Sequence, residues 1–499
     1  MNTKSTSVYL LLLRFGKIAF NIFTLMLTAR YFGVGVEMDS WVIATTVMTT
    51  IALSLWGPLN ETFRAKFVLL REKEGELPTL ARVRSLLLVV LVVTLVFSAL
   101  LFVFASDLSA VLAPSIQGDD RLGFTVLLLL LIPSFLISEL VSIGTSILNA
   151  YNVFFLPEVM GIVTAVINIA SIALLAPSVG IYSLLIALYL SSGLLLVVIA
   201  LYLRKLQVPL LKGGVSLSWD QVKPFVYFSL PFFFPYIVGQ FNTLLEKNLA
   251  NQLGIGIVSV VNYSGQFRII LQSVIASVLT TMMVPLLSSA HARGDKRGFS
   301  ALVLENLHLM FIFLAFVIPF LIAAAEPVVA FLYDRGEMDA ASLASIVHLM
   351  RWYSGAVLVV IVYLIGGLAL MSQERGKLYA FWGVAAQLLA IAVNFAFYRQ
   401  WGALVFPLSL IVSHLLAGAW MLYKLSVDNR RQLLGYLLRF GLMMGLSTVV
   451  QVYLLERVLQ VSQHLLVQLL LSGVVSLFVF APLLFVFKLA NFVKTHDVH

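Results

Sequence analysis

The chain has no cysteine, and only 11% of its 499 residues are charged. Without cysteine, disulfide bonds and thiolate metal sites are excluded. A soluble protein of this length is expected to carry about twice that charged fraction, so soluble enzymes, nucleic-acid-binding modules and disordered scaffolds are excluded as well. Instead, 61% of the residues are hydrophobic, and the mean hydropathy is +1.02. The composition therefore indicates an all-α integral membrane protein that crosses the bilayer many times.

Apolar runs of about 20 residues, the length of a membrane-spanning helix, recur from end to end. They predict fourteen transmembrane helices, near residues 8–32, 40–64, 84–106, 122–150, 153–176, 179–203, 222–251, 255–288, 301–325, 340–371, 377–398, 402–424, 432–456 and 463–489. The connections are too short for a soluble catalytic domain, so we expect a protein that is not an enzyme. The first run contains Arg14 and Lys17 and lacks a small-residue cleavage site, unlike a cleaved signal peptide.

The net charge of +9 is spread over short connections between the apolar runs, which argues against a nucleic-acid partner. Lysine and arginine concentrate in the even-numbered connections, at residues 64–84, 204–223, 293–297, 375–377 and 424–431. The opposite connections are short, acidic or mixed. By the positive-inside rule both chain termini are expected in the cytoplasm, and an even number of helices agrees with that orientation.

The sequence contains an internal repeat. Residues 29–36, ARYFGVGV, recur as ANQLGIGI at residues 250–257, and each copy forms a short turn between two apolar runs. Six predicted helices per copy insert both copies the same way up, which is a parallel repeat. We expect two six-helix lobes around a central cavity, at residues 1–212 and 213–425, and two further helices in residues 426–499.

Ionisable side chains inside apolar helices normally face a cavity or a partner, because each is unfavourable at the bilayer centre. The first helix pair of each predicted repeat carries such groups, and a two-fold relation would bring both pairs to one cavity. The basic residues of these two helix pairs are Arg14, Lys17, Arg64 and Arg268, and Gln266 lies near Arg268. Guanidinium groups bind phosphate bidentately, so this set predicts a phosphate or pyrophosphate site. The alternative for the first three is snorkelling to the cytoplasmic interface.

Three further charged residues are candidates for the cavity. Glu61 lies three residues before Arg64 on the same helix and can pair with it. Glu246 and Lys247 point about 100° apart on their helix, so they need not pair, and either could be a structural charge that faces another helix. Three isolated histidines lack metal-ligand spacing, and no nucleotide-binding motif is found, so neither a metal nor a cofactor is expected.

Several segments resemble one family. Residues 29–41, ARYFGVGVEMDSW, are similar to the ARxFGxGxxxDAF signature at the first turn of the MurJ (MviN) lipid II flippases. Residues 148–157, LNAYNVFFLP, resemble the family's LNAxxxFxxP segment, and residues 263–266 and 283–288 resemble its eighth helix. The resemblance covers about residues 8–425. The wider MOP superfamily also contains polysaccharide flippases and multidrug (MATE) exporters.

This resemblance implies that an undecaprenyl-pyrophosphate-linked sugar moves from the cytoplasmic to the periplasmic leaflet of the bacterial inner membrane, by alternating access and without covalent chemistry. Cavity arginines would hold the pyrophosphate; the family's arginine on helix 8 aligns with Gln266, and Arg268 stands two residues further on. Arg30 and Asp39 match the first motif and are the candidate periplasmic gate, since opposite charges can pair in one state and part in another. Membrane potential or a monovalent cation would drive the cycle. The expected partners are the lipid-linked glycan, membrane lipids and the cell-wall or polysaccharide synthesis machinery.

Other interpretations stay open, because several basic positions depart from the family pattern. One is a flippase for an exopolysaccharide or O-antigen unit. Another is a cation-coupled multidrug exporter, which would need aromatic and acidic cavity groups rather than several arginines. An integral-membrane glycosyltransferase is disfavoured by the short loops, and a non-transporting scaffold by the charges in equivalent helices of the two repeats.

Overall fold

The computed structural model describes residues 3–208, 218–425, 430–487 and 489, which form helices joined by short turns. These residues contain seventeen α-helices: α1 Thr3–Phe32, α2 Val36–Glu74, α3 Glu76–Val103, α4 Ala105–Leu112, α5 Gly118–Ala150, α6 Phe155–Val179, α7 Tyr182–Lys205, α8 Trp219–Leu253, α9 Ile257–Val278, α10 Val284–Ala292, α11 Lys296–Ala323, α12 Ala325–Tyr333, α13 Ala340–Ser372, α14 Gly376–Trp401, α15 Val405–Lys424, α16 Arg430–Val458 and α17 Leu465–Val486. The described ranges contain no β-strand.

Eleven helical segments of the described residues are long and apolar enough to cross a membrane, with α14 and α15 counted as one segment. The prediction of an all-helical membrane protein is confirmed, whereas the count of fourteen transmembrane helices stays a prediction. The helix α2 has 39 residues, which at 1.5 Å per residue is about 58 Å, roughly twice the hydrocarbon thickness of a bilayer. The helix is therefore longer than the hydrocarbon layer is thick, and its last turn carries Arg71 and Lys73.

One predicted helix, residues 255–288, is interrupted in the structure. The helix α9 ends at Val278, a π-helical turn spans Leu279–Met283, and α10 begins at Val284. Pro285 lacks the N–H that would bond to the carbonyl of residue 281, and in a regular α-helix its ring would clash with that carbonyl. The wider π turn accommodates the proline. The segment predicted as one helix is therefore helical from Ile257 to Ala292, with a π-helical turn in place of regular α-helix at Leu279–Met283.

The chain divides into two compact units. Unit 1 consists of Met1–Ser259 and Arg335–Glu337, and unit 2 consists of Val260–Asp334 and Met338–His499. The predicted lobe boundaries, at residues 212/213 and 425/426, fall in or beside ranges that the structure does not describe, so the two six-helix lobes stay a prediction. The basic connections predicted at residues 204–223 and 424–431 also lie partly outside the described residues.

Unit 1 is packed around α2. The Phe63 ring stacks on that of Phe225 in α8, with ring centroids 5.4 Å apart. The Trp56 side chain is buried, and its indole N–H donates to the Thr94 hydroxyl of α3 at 3.1 Å. A stacked aromatic pair such as Phe63 and Phe225 adds about 1 kcal/mol to the stability gained from burying its apolar surface. These contacts, continued by buried residues of α5, hold α2 in a fixed position.

Unit 2 has its core between α11, α13 and α16. The Phe311 ring of α11 stacks on Phe440 of α16 with a centroid separation of 4.4 Å. One helical turn earlier, His308 Nδ1 lies 2.9 Å from the Tyr436 hydroxyl, and both residues are buried. His308 is therefore a polar packing group of this core.

Candidate functional site

Two basic side chains of α1 contact the N-terminal part of α6 in unit 1. The Arg14 Nε donates to Glu158 Oε1 at 3.0 Å, and this ion pair is partly exposed. The Lys17 side chain lies across Gly161, where a β-carbon would come within 3.1 Å of Lys17 Cδ and 3.2 Å of its Nζ. The missing side chain of Gly161 gives the lysine room, so both basic residues of α1 lie against α6.

Arg64 of α2 reaches the same part of α6. Its guanidinium carbon lies 4.8 Å from the ring centre of Phe154, the residue that precedes α6. Phe154, Glu158 and Gly161 are spaced by four and three residues, so they share one face of the helix within about 11 Å along its axis. The structure thus brings together three of the four predicted basic residues. We call this set the α6 basic cluster: Arg14, Lys17 and Arg64.

The α6 basic cluster carries more positive charge than its neighbours balance. Glu158 pairs with Arg14, and within the described residues neither Lys17 nor Arg64 forms an ion pair or hydrogen bond. The first turn of α6 has no side-chain cap, so its backbone N–H groups and the positive end of the helix dipole add to the field. A phosphate group has the charge and the acceptor oxygens to bind such a site.

Glu61 does not pair with Arg64. Its carboxylate instead accepts a hydrogen bond from the hydroxyl of Tyr236 in α8. The tyrosine can approach α2 because Gly57 has no side chain: a β-carbon there would lie 2.6 Å from the Tyr236 ring. The predicted pair of Glu61 and Arg64 is therefore wrong for this structure, because each of the two side chains has a distant partner of its own.

Asp39 and Arg30, the predicted gate residues, are not paired in this structure. Asp39 is fully buried near the start of α2. Its Oδ2 accepts from the Gly256 N–H at 2.6 Å, and its Oδ1 accepts from the N–H and the hydroxyl of Ser259 at 2.8 and 2.5 Å. The carboxylate therefore caps the N-terminus of α9. Arg30 is exposed and lies over the Tyr31 ring, 5.6 Å from its centre.

The two copies of the repeated sequence meet at this cap. As predicted, each copy is a turn: residues 33–35 join α1 to α2, and residues 254–256 join α8 to α9. Gly256 has a φ of +87° and touches the first copy, where a β-carbon would lie 2.7 Å from Val34 Cγ1. The Arg30 carbonyl accepts the Glu337 N–H at 3.0 Å, so residues 335–337 pack on the first copy as well.

Glu246 and Lys247, the last two cavity candidates in unit 1, form an ion pair in α8. The Lys247 Nζ lies 3.1 Å from Glu246 Oε1, and the two side chains are 11% and 26% exposed. The angle of about 100° between the two positions does not prevent the pair, because the long lysine side chain spans it. The two charges offset each other within unit 1, and a place for either in a substrate site stays a prediction.

In unit 2, Arg268 and Gln266 lie on α9 and have different partners. The Arg268 Nη1 donates to Gln272 at 3.0 Å, and its guanidinium lies 5.6 Å from the Tyr353 ring centre. The Arg268 Nε is buried and has no hydrogen-bond partner in the described residues. Gln266 donates to Asn262 at 3.4 Å. Since positions two apart on a helix differ by about 200°, Arg268 and Gln266 face different directions.

Three residues near these groups were not included in the predicted site. Glu158 had a detectable signal, a carboxylate in the first turn of an apolar helix. Phe154 had none, because an aromatic residue in an apolar run is unremarkable. Glu139 stands out as a charge inside α5, but only the structure shows that it is buried and lines a cavity. The part of the chain that the structure describes has no three His, Asp or Glu side chains grouped to hold a metal ion.

The fold is similar to those of three solved membrane proteins, two of which are described as transporters of the MOP superfamily. A solved lipid II flippase MurJ in an inward closed conformation matches with a TM-score of 0.81 and 17% identity, over 99% of this chain and 100% of that chain. An inward-facing MATE family transporter matches with a TM-score of 0.69 and 14% identity, over 82% and 94% of the two chains. A MOP superfamily transporter from Pyrococcus furiosus gives a TM-score of 0.61 and 13% identity, over 84% and 94%.

The sequence comparisons define the family within this class. Residues 28–482 match the family described as lipid II flippase MurJ. A segment of 124 residues is 29% identical to the lipid II flippase MurJ of Burkholderia cenocepacia and covers 25% of this chain and 24% of that protein. The chain therefore belongs to the lipid II flippase MurJ family, and the resemblance noted in the sequence is confirmed. Members of this family are multi-pass membrane transporters rather than enzymes.

Proposed function

We propose that this protein moves lipid II, an undecaprenyl-pyrophosphate-linked saccharide, from the cytoplasmic to the periplasmic leaflet of the bacterial inner membrane. The observation that carries the proposal is the α6 basic cluster, in which three basic side chains share one face of α6. Membership of the MurJ family supports a lipid-linked substrate. Such transport breaks and forms no covalent bond.

The chemistry of a pyrophosphate matches the α6 basic cluster. Arg64 can direct two parallel N–H donors to one phosphate, and Lys17 can place a point charge beside the other. Arg14 is paired with Glu158, so an incoming phosphate competes with this carboxylate for the guanidinium. A charged head group must give up much of its water to cross a bilayer, and donors that replace this hydration lower the barrier to transfer.

Residues outside the cluster have roles in the same proposal. Arg268 and Gln266 of unit 2 would contact the head group from α9, which is supported by the buried Arg268 Nε, since an unpaired N–H is costly without a ligand or water. Arg30 and Asp39 would form the periplasmic gate: the bonds of Asp39 to α9 break only if α9 moves away. Membrane potential or a monovalent cation would drive the alternating access of the two lobes.

Two alternatives differ in how well they fit the cluster. A related glycan lipid, such as an exopolysaccharide or O-antigen unit, presents the same pyrophosphate and is the alternative substrate. A multidrug exporter for cationic compounds is disfavoured, because the uncompensated positive charges of Lys17 and Arg64 would repel a cation. Cell-wall or polysaccharide synthesis enzymes would supply the lipid and use it after transfer.

The test combines complementation of a strain depleted of its lipid II flippase with lipid II transfer between leaflets of proteoliposomes. The wild-type protein is expected to restore growth. The Arg64→Ala variant should lower the transfer rate by roughly ten- to a hundredfold, because a hydrogen bond to a charged group contributes about 1.5–3 kcal/mol. Arg64→Lys should fall between the two, since an ammonium group cannot bind phosphate bidentately.

Lys66→Ala is the matched control for this experiment. Lys66 lies on the same helix, but its Nζ is 5.3 Å from the Phe228 ring of α8 rather than on α6, so the rate should stay within about twofold of wild type. A wild-type rate for a well-expressed Arg64→Ala variant would remove the α6 basic cluster from the proposal. If the wild-type protein instead restores only exopolysaccharide or O-antigen export, the related glycan lipid is the substrate.

A further inference from the structure

A cavity of about 280 Å³ lies within unit 1, between α2, α5 and α7. Glu139 of α5 and Asn60 of α2 line it, together with the hydroxyl groups of Thr45, Ser134 and Ser138. None of these side chains belongs to the α6 basic cluster. The cavity therefore needs an explanation of its own.

Glu139 is the charged group of this cavity and is only 3% exposed. Asn60 Nδ2 donates to Glu139 Oε2 at 3.3 Å, whereas Oε1 is buried without a hydrogen-bond partner. No lysine, arginine or histidine of the described residues forms an ion pair with it. A buried ionised carboxylate inside a membrane protein is strongly unfavourable unless a positive charge accompanies it. The Glu139 carboxylate therefore needs a proton or another cation from outside the chain to balance its charge.

The oxygen atoms around Glu139 are arranged to accept rather than to donate. The hydroxyls of Thr45, Ser134 and Ser138 donate to carbonyls of their own helices at 2.7, 2.6 and 3.0 Å, which leaves their lone pairs available. The Asn60 Oδ1 is buried and has no hydrogen-bond partner in the described part of the chain. Carboxylate, amide and hydroxyl oxygens are the ligands that hard cations prefer.

We propose that this cavity binds one sodium ion on the Glu139 carboxylate. One carboxylate balances one positive charge, and the described residues place no group of acids here that would favour a divalent cation. Since a water molecule takes up about 30 Å³, the cavity has room for the ion and several waters. Sodium binding neutralises the contact between α2 and α5, and sodium release leaves a charge that is hydrated only if these helices separate. Because α2 also carries Arg64, the ion would couple to the α6 basic cluster.

The experiment measures ²²Na⁺ binding to the purified full-length protein in detergent micelles, with choline chloride added to keep the ionic strength constant. Wild-type protein should bind sodium saturably, with one ion per chain. Glu139→Gln should weaken the apparent affinity at least tenfold, and Asn60→Leu should weaken it less, because the carboxylate stays in place. Glu139→Asp retains the charge and should recover part of the affinity, which separates the loss of a ligand from a folding defect.

Asp120→Asn is the matched control, because Asp120 is exposed on the same helix about 28 Å from Glu139 and should leave sodium binding unchanged. Absence of saturable ²²Na⁺ binding to the wild-type protein would overturn the proposal, and so would wild-type affinity in Glu139→Gln. A carboxylate that takes up only a proton, with no sodium bound at any pH, would also overturn it. The assay contains no lipid substrate, so its failure would leave the proposed lipid transport untouched.

Discussion

A single residue, Asp39, holds the start of α9 in place. The three residues before α9 are Gly-Ile-Gly, which offer no side-chain oxygen to cap its first amide groups. Asp39, which is 217 residues away from Gly256 in the chain, supplies both of its carboxylate oxygens instead. These amides lie at the positive end of α9, so they stabilise the carboxylate as an anion.

Asp39→Asn tests this cap. The amide replaces an acceptor oxygen with an NH₂ group that faces N–H and O–H donors, so the free energy of unfolding should fall by about 2 kcal/mol. Unfolding in detergent micelles measures the change. Glu37→Gln, an exposed position in the same first turn, should stay within about 0.5 kcal/mol of wild type. Equal stability of Asp39→Asn and the wild-type protein would contradict the capping role.

Basic residues of the site could be predicted from the sequence, but their partners could not. Arg14, Lys17 and Arg64 stand out because charges are rare in apolar runs. The spacing of three residues along α2 predicts that Glu61 pairs with Arg64. Instead, the hydroxyl of Tyr236, 175 residues further along the chain, donates a hydrogen bond to the Glu61 carboxylate. Spacing along a helix shows which neighbours can meet; it does not show which distant side chain competes for them.

Among the helices, α9 and α10 show how one proline changes an element. Hydropathy predicts a single helix over residues 255–288, although Gln266 and Arg268 lie within it. The backbone of Pro285 cannot complete the regular hydrogen-bond pattern, and the π turn at Leu279–Met283 takes up the mismatch. By contrast, the predicted boundary between the helices at residues 377–398 and 402–424 falls beside the 3₁₀ turn at Gly402–Leu404, which joins α14 and α15.

Replacing Pro285 with alanine should restore the regular helix. The new N–H can bond to the carbonyl of residue 281, so backbone amides of residues 282–286 should exchange with deuterium about tenfold more slowly in nanodiscs, the effect of about 1.4 kcal/mol of added local stability. Pro157→Ala is the control: Pro157 lies in the first turn of α6, where its N–H would have no helical partner. Unchanged exchange in Pro285→Ala would show that the π turn has another cause.

At the scale of the whole molecule, the bilayer makes the class predictable. Every backbone N–H and C=O group inside lipid must form its hydrogen bond within the protein, so long apolar runs form helices. Two of the family motifs, at residues 29–41 and 148–157, include turns between these helices. The internal repeat could be recognised in the sequence because each of its two turns, residues 33–35 and 254–256, contains a glycine that close packing requires. The orientation in the membrane depends on loop charges and stays a prediction.

This orientation can be tested directly because the chain has no cysteine. Asp119→Cys and Glu72→Cys introduce single thiols at exposed positions of two opposite connections. By the positive-inside rule, a membrane-impermeant maleimide should label Asp119→Cys in cells with an intact inner membrane and Glu72→Cys only after lysis. The cysteine-free protein should stay unlabelled. Labelling of Glu72→Cys in intact cells would reverse the orientation.

Glu158 gives the proposed cycle a means of unloading. A transporter that binds its substrate too tightly releases it slowly. A transporter that is left with an unpaired cation after release returns slowly to its starting conformation. The Glu158 carboxylate lies 3.0 Å from the Arg14 Nε, so it can pair with the guanidinium again when the lipid leaves. In the proposed cycle, Glu158 would therefore shorten the time for which the lipid stays bound and would allow the empty protein to return for the next lipid molecule.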